Sequence, residues 1–318
     1  MKSGKKRKYE IGRREFIRKG SSAALGAGVI ASMPLDVLSV SSARELPKKS
    51  ILKCSDIADH FKKIGTWVNW DKTTDTFKAG NPARPVRKVA VAWKASWDAL
   101  RKADSKGADL FVTHESICVK AVNGSMEPEV VFALPTEKSK FDWLEKSGLV
   151  VYRCHDVWDR FPGEGIRDAW RDGLNIGDRI FADKYPLYVT EIEPMTVHDL
   201  ALHVLRRIEP LGQNGIMVSG NLEKKINRVG TGTGMAHNPP AMKAIGADVG
   251  IMTEDGYKHV RMGVHANELD FPTIFVNHGV TEEWGIQNLA AYIQRAFPDL
   301  EVFHIPQCCP YTMLGLND

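Results

Sequence analysis

The chain has 318 residues, of which 43% are hydrophobic, enough for a buried core and for two domains. With 26% charged and 8% aromatic residues, the composition excludes a disordered chain and a membrane protein with many spans. The formal charge is +4, but the first 43 residues hold nine of the 43 basic and three of the 39 acidic residues. The remaining 34 basic and 36 acidic residues give −2, so we expect no nucleic-acid partner.

The first 43 residues have the features of a twin-arginine export signal, in the expected order. A basic stretch leads into RREFIRK at 13–19, a weakly apolar run covers 21–33, and small residues at 41–43 suit a signal peptidase. The apolar run is shorter than the roughly 20 residues that span a bilayer, so we expect no stable membrane insertion. We expect residues 1–43 to be a signal peptide and the protein to be periplasmic or secreted. The alternative is a basic arm that stays in the cytoplasm.

After residue 43, the first half of the chain has an apolar strand over residues 86–92, a helix from about 96 to 106, and a second strand over 110–112 that leads into residues 113–115. The second half repeats this order with strands at 226–229 and 249–252 and a helix that begins after Asn238, with proline at its first position. Chance similarity is the alternative, but the same order of features in both halves argues against it.

Each half then continues to an apolar strand that ends at a histidine. Residues 148–154 lead to His155, and residues 273–277 lead to His278. Strands that alternate with helices predict the α/β class. We therefore expect two related α/β units with mixed sheets flanked by helices, over residues 44–185 and 186–318, with a site at the strand ends between them.

Five cysteines do not form a regular pattern. Their number is odd and no CxxC pair occurs, so a disulfide framework and a structural zinc knuckle are both disfavoured. Cys154 precedes His155, as in a thiol–imidazole pair. Adjacent strand residues point to opposite faces, however, so we expect Cys154 in the core.

Three predicted strand ends carry histidine or carboxylate side chains, and ligands of α/β sheets gather beyond the carboxyl ends of the strands. The candidate residues are His114 and Glu115, His155 with Asp159, and His278 with Glu282. Imidazole and carboxylate donors suit zinc, iron or manganese. Five or six donors exceed one tetrahedral site, so they indicate two divalent ions that share a carboxylate. A single histidine is more often structural, but three strand ends that converge favour the metal site.

At these residues the chain resembles the NIF-three-like family of dinuclear metal-centre proteins, whose bacterial members carry the name type 2 GTP cyclohydrolase. The resemblance runs from about residue 51 to residue 305. The matching stretches are residues 70–71, 107–115, 155–159, 246–248 and 278–282.

The resemblance implies roles for the candidate residues and an assembly. The residues that would hold two divalent ions are His114, Glu115, Asp159, His278 and Glu282. Glu282 would bridge the two ions. The resemblance also implies that His155 lies beside the metals as a supporting or proton-transfer group, and that the chain forms a ring-like homohexamer.

The first motif departs from the family pattern, which usually has His-His where this chain has His114-Glu115. A carboxylate adds negative charge and favours iron, manganese or magnesium; alternatively, one metal position is weak or lost. Ser116 replaces the usual proline, so the loop after this strand is expected to differ.

Residues 230–234 (GTGTG) follow a predicted strand but lack the third glycine of a dinucleotide fingerprint. We expect a tight turn at the edge of the site, able to bind an anion through backbone N–H groups.

Two functional hypotheses follow. The first is an exported metal-dependent hydrolase that uses a metal-bridging hydroxide on a small nucleotide-like or cyclic amide substrate, with His155 as the catalytic proton carrier. Export makes GTP itself a poor candidate. The second is a non-catalytic metal-binding protein or oligomeric scaffold.

Overall fold

The structure is a computed structural model that describes residues 51–118, 135–234, 238–255 and 259–314. The predicted signal peptide lies outside the described residues. No helix in the part of the chain that is described is long and apolar enough to cross a membrane.

Helices flank two sheets. Within the described residues the helices are α1 (Cys54–Ile64), α2 (Trp97–Ser105), α3 (Pro135–Ser147), α4 (Asp156–Asp159), α5 (Ile166–Leu174), α6 (Val197–Ile208), α7 (Pro239–Ala244), α8 (Val264–Glu268) and α9 (His278–Ala296). The strands are β1 (Phe77–Ala79), β2 (Lys88–Lys94), β3 (Leu110–Glu115), β4 (Val150–Arg153), β5 (Arg179–Lys184), β6 (Leu187–Thr196), β7 (Met217–Ser219), β8 (Lys225–Thr231), β9 (Val249–Thr253), β10 (Thr273–Val276) and β11 (Glu301–His304).

Both sheets are mixed; the first contains four consecutive parallel strands and the second contains three. The first sheet has the order β1-β4-β3-β2-β11, in which β1 is the antiparallel strand. The second has the order β5-β6-β8-β9-β10-β7, in which β8, β9 and β10 are parallel. The parallel sets β2-β3-β4 and β8-β9-β10 correspond to the repeated order in the sequence. The predicted α/β class with mixed sheets and flanking helices is confirmed.

The predicted helix starts have the expected caps. The Ser96 hydroxyl accepts a hydrogen bond from the backbone N–H of Ala99 at the start of α2. The Asn238 side chain does the same for Ala241 at the start of α7, where Pro239 is the first helical residue. These caps satisfy N–H groups that have no partner inside the helix.

Helices cover both faces of the first sheet. Val89 and Val91 of β2 point into one apolar cluster, and the alternating Ala90 and Ala92 point into another. Cys154 is fully buried in the first of these clusters, as predicted.

The long helix α9 connects the two sheets. It follows β10 of the second sheet, and Val280 packs into the apolar cluster of that sheet. Further along the helix, Ile286, Leu289 and Ile293 pack into a cluster with β2, β3 and β4 of the first sheet. The first turn of α9 is thereby fixed close to the strand ends of the first sheet.

The division after residue 185 that the sequence suggests falls in the turn between β5 and β6. These two strands pair with each other in one sheet. The final strand, β11, pairs with β2 of the other sheet.

Candidate metal centre

Strand ends of both sheets bring the six candidate side chains together. His114 and Glu115 are the last residues of β3, and the neighbouring parallel strand β4 is followed two residues later by His155. Asp159 ends the short helix α4. His278 is the first residue of α9, and Glu282 lies one turn further along that helix.

The six side chains form a closed ring of neighbouring donor atoms. The distances around it are Asp159 Oδ1 to His114 Nε2 3.4 Å, His114 Nε2 to Glu282 Oε2 3.4 Å, Glu282 Oε1 to His278 Nε2 3.0 Å, His278 Nε2 to Glu115 Oε1 3.6 Å, Glu115 Oε1 to His155 Nε2 3.7 Å, and His155 Nδ1 to Asp159 Oδ2 3.6 Å. All residues predicted for the site are therefore in one place.

Glu282 lies between two histidines of this ring. Its carboxylate is buried, and one oxygen faces His114 while the other faces His278. The indole Nε1 of Trp93 donates a hydrogen bond to Oε2 at 2.8 Å. The two oxygens of Glu282 thus face two separate imidazoles, and the hydrogen bond from Trp93 fixes the orientation of the carboxylate.

The surroundings of the His114 ring show whether these residues suit a metal. Its Nδ1 lies 3.0 Å from the backbone carbonyl of Cys154, so that nitrogen carries the proton and Nε2 carries the lone pair. Nε2 is fully buried and has no hydrogen-bond partner among the described residues. It faces the oxygens of Asp159 and Glu282. A lone pair directed at two carboxylates is stabilised by a cation between them, so the donor set fits a divalent metal.

Two sets of three side chains place one donor atom each within 4.8 Å of one another. One set is His114, His155 and Asp159, and the other is His114, Glu115 and Glu282. His155 thus lies among the ligand candidates, although the sequence assigned it to proton transfer. Its ring is stacked on that of His114, with centroids 4.5 Å apart. Each set offers three donor atoms for one metal ion, and both sets use His114.

Glu115 is held in the site by an arginine that the sequence did not single out. The Arg153 side chain is buried and donates from Nε to the backbone carbonyl of His114 at 2.9 Å, and a second nitrogen lies 3.4 Å from Glu115 Oε2. The backbone N–H of Ser116 also donates to Oε2. The other oxygen, Oε1, remains directed at His155 and His278. A negative charge here is thus partly balanced by Arg153.

The imidazoles and carboxylates shift each other's titration. Burial alone would lower the pKa of His155, but the charge of Asp159 and contacts to Asp156 and Glu115 outweigh it, so the pKa lies well above its usual value. Burial would also lower the pKa of His278, but the nearby Glu282 and Glu115 carboxylates raise it to about 10. Burial would raise the pKa of Glu115, but the three neighbouring histidines hold it well below its usual range. At neutral pH the raised pKa values of His155 and His278 keep these two imidazoles protonated, and their charge balances part of the carboxylate charge.

The segment that carries His155 and Asp159 is held by Asp75. This carboxylate is buried and accepts three backbone N–H bonds, from His155 at 2.7 Å and from Asp156 and Val157 at 2.8 Å each. These donors lie at the start of α4, where helix N–H groups have no internal partner.

The predicted glycine turn borders the site. A cavity of about 310 Å³ beside the six side chains is also lined by Thr233 and Gly234. Gly234 has φ +56°, and a Cβ at this position would lie 3.4 Å from Glu282 Oε1. The distance is an ordinary contact, so it is the positive φ that favours glycine at this position. Gly230 and Thr231 still belong to strand β8, so the described part of the predicted turn is residues 232–234, at the edge of the site.

Comparison with known proteins places the chain in a family. The family described as Duf34/NIF3 (NGG1p interacting factor 3) matches residues 52–310. A relative from Clostridium perfringens named "GTP cyclohydrolase 1 type 2 homolog" is 24% identical over 217 residues, which cover 65% of this chain and 79% of the relative.

Solved structures show the same fold. A Bacillus cereus protein described as related to NIF3 has a TM-score of 0.69 at 14% identity, covering 84% of this chain and all of that protein. A hypothetical protein of Staphylococcus aureus has a TM-score of 0.67 at 15% identity, covering 83% of this chain and all of that protein. With a family match over most of its length, the chain belongs to the Duf34/NIF3 family.

Proposed function

We propose that the protein binds two divalent metal ions that share Glu282. The observation that carries this proposal is the position of the buried Glu282 carboxylate, whose oxygens face His114 on one side and His278 on the other. His114 and Asp159 would contribute to one position, and Glu115 and His278 to the other. Iron or manganese is favoured over zinc because three of these five ligands are carboxylates.

We further propose that the protein is a hydrolase. Divalent ions in this ring would supply Lewis acidity and a water of lowered pKa. His155 lies at the cavity, its Nδ1 held 3.0 Å from Asp156 Oδ1, which leaves Nε2 to accept or deliver a proton. The backbone of Gly234 lies next to Glu282, and Thr233 and Gly234 can contact a substrate that enters the cavity.

The substrate class is a small nucleotide-like or cyclic amide compound. The name of the Clostridium perfringens relative supports this class, because cyclohydrolases open cyclic amide or amidine bonds with water. A non-catalytic metal-binding or scaffold protein is the alternative. Screening metal-loaded protein on phosphoesters and cyclic amides separates the two, and inactivity across both classes would favour the alternative.

Metal analysis of the purified protein tests the dinuclear site. We expect about two ions per chain in the wild type and loss of metal in His278→Ala and in Glu282→Ala. A matched control is His265→Ala, because His265 is exposed and paired with Glu268 away from the site. Fewer than one ion in the wild type, or unchanged content in both site variants, would contradict the proposal.

Export and assembly are further parts of the proposal. The twin arginines predict that the double substitution Arg13→Lys and Arg14→Lys keeps the protein in the cytoplasm, which cell fractionation measures. The family resemblance predicts a homo-oligomer, a hexamer, which light scattering measures. Equal periplasmic yield in the double variant, or a monomer in solution, would contradict these points.

A further inference from the structure

A second cavity, of about 270 Å³, adjoins the cavity at the metal centre. The two cavities share Asp159 and Tyr185 in their walls. The second cavity is also lined by two cations, Lys72 and Arg160. Neither cation has a part in the metal chemistry proposed above.

Arg160 is positioned by an aromatic ring. Its guanidinium carbon lies 4.1 Å from the ring centroid of Tyr185. A guanidinium that lies over a ring keeps its N–H edge available for hydrogen bonds. Arg167 also lies against Tyr185, at 5.4 Å, but it is paired with Asp183 at 2.9 Å. Across the described parts of the chain, the side chains of Arg160 and Lys72 make no ion pair and no hydrogen bond.

Two carboxylates, those of Asp156 and Asp159, line the same cavity, but both contact groups other than the two cations. Asp156 accepts a hydrogen bond from the Thr73 hydroxyl at 2.8 Å and lies 3.0 Å from His155 Nδ1. Asp159 faces His114 and His155 in the donor ring. Lys72 and Arg160 are both exposed and have no counter-charge among the residues that the structure describes, so their position beside the metal donors suits an oxyanion that enters from solvent.

We propose that the substrate carries an oxyanion group, a phosphate or a carboxylate, which Lys72 and Arg160 bind while the bond to be broken lies at the donor ring. This assignment rests on the proposed metal-dependent function and narrows its substrate class. Because the two cavities share Asp159 and Tyr185, an oxyanion held by Lys72 and Arg160 would lie next to the donor ring. Lys72 and Arg160 are thus specificity-determining residues, and neither is a metal ligand.

The test uses inorganic phosphate and acetate as probes, titrated by calorimetry into the purified full chain with and without metal. Lys72→Gln and Arg160→Gln remove the charges and keep side chains of moderate length. We expect each substitution to weaken phosphate binding about tenfold, because each removes one charge-assisted hydrogen bond. This loss should occur with and without metal, and the metal content should not change. Phosphate that binds more tightly than acetate would assign a phosphate group, and the reverse order a carboxylate.

Arg101→Gln is the matched control, because Arg101 also lies over an aromatic ring, 4.9 Å from the centroid of Trp97, and lines neither cavity. Its phosphate affinity should equal that of the wild type. Wild-type affinity in both cavity variants, or equal weakening in the control, would overturn the assignment. If the purified wild-type protein binds no metal, that result contradicts the proposed function and not the oxyanion site. The phosphate titrations of metal-free protein then still test whether Lys72 and Arg160 bind the anion.

Discussion

Asp75 supports the metal centre from a distance, and its replacement tests how the fold holds His155 and Asp159. Its carboxylate accepts backbone N–H bonds from three consecutive residues at the start of α4. The substitution Asp75→Ala leaves these three donors buried without an acceptor. Each such donor costs about 1–3 kcal/mol, although water that enters the space reduces the sum.

Removal of the buried Asp75 charge offsets part of the stability that Asp75→Ala loses. Burial raises the pKa of Asp75 despite the three N–H bonds, so ionisation of the carboxyl in the folded state is itself unfavourable. We therefore expect Asp75→Ala to lower the free energy of unfolding by about 3 kcal/mol, the sum of roughly 1 kcal/mol for each donor. Asp75→Asn keeps Oδ1, which serves two of the three bonds, and should lose about 1 kcal/mol.

The assay is urea unfolding of metal-free protein, followed by tryptophan fluorescence, since the buried Trp158 lies in α4 itself. Metal affinity should also fall about tenfold or more in Asp75→Ala, because α4 carries Asp159. Asp56→Asn is the control: its carboxylate also accepts a backbone N–H, from Lys53, at the start of a helix, but this contact is exposed. An unfolding midpoint and a metal affinity in Asp75→Ala equal to those of the wild type would refute the reasoning.

Three further predictions follow from the site and its supports. His155→Gln should retain the metal content of the wild type, because we assign His155 to proton transfer; loss of an ion on elemental analysis would make it a ligand instead. Metal affinity should rise with pH by about tenfold per unit up to about pH 10, since the raised pKa of His278 means that a bound proton must leave before the metal binds. Calorimetry in buffers of different ionisation enthalpy measures this proton, and an affinity independent of pH would contradict the prediction. Gly173→Ala should lower the free energy of unfolding by about 2 kcal/mol, because its Cβ would lie 2.1 Å from the Trp284 ring on α9; an unchanged melting temperature would show that the α5–α9 contact adapts.

Much of the site could be predicted because its residues follow apolar strands. The end of a parallel strand in an α/β sheet is a place where side chains converge, so His114, His155 and His278 could be located without knowledge of the topology. The acid one turn after His278 is a local helical relation, which the sequence also displays.

The residues that hold this ring in place could not be predicted in the same way. Trp93 contacts Glu282 across 189 positions of sequence, and Asp75 contacts His155 across 80. Arg153 is the last residue of the apolar strand β4 and belongs to no motif of its own. These contacts depend on how strands and α9 pack together, and no periodicity or spacing in the sequence encodes that packing. The return of β11 to the first sheet is unpredictable for the same reason.

The dinuclear centre is the central claim, and anomalous X-ray scattering from crystals of the metal-loaded protein tests it most directly. Data collected at the absorption edge of the bound metal should show two peaks per chain, one on each side of the Glu282 carboxylate. One of them should lie next to His114 and the other next to His278. A single peak in contact with only one of these histidines, or no peak within the ring, would contradict the claim.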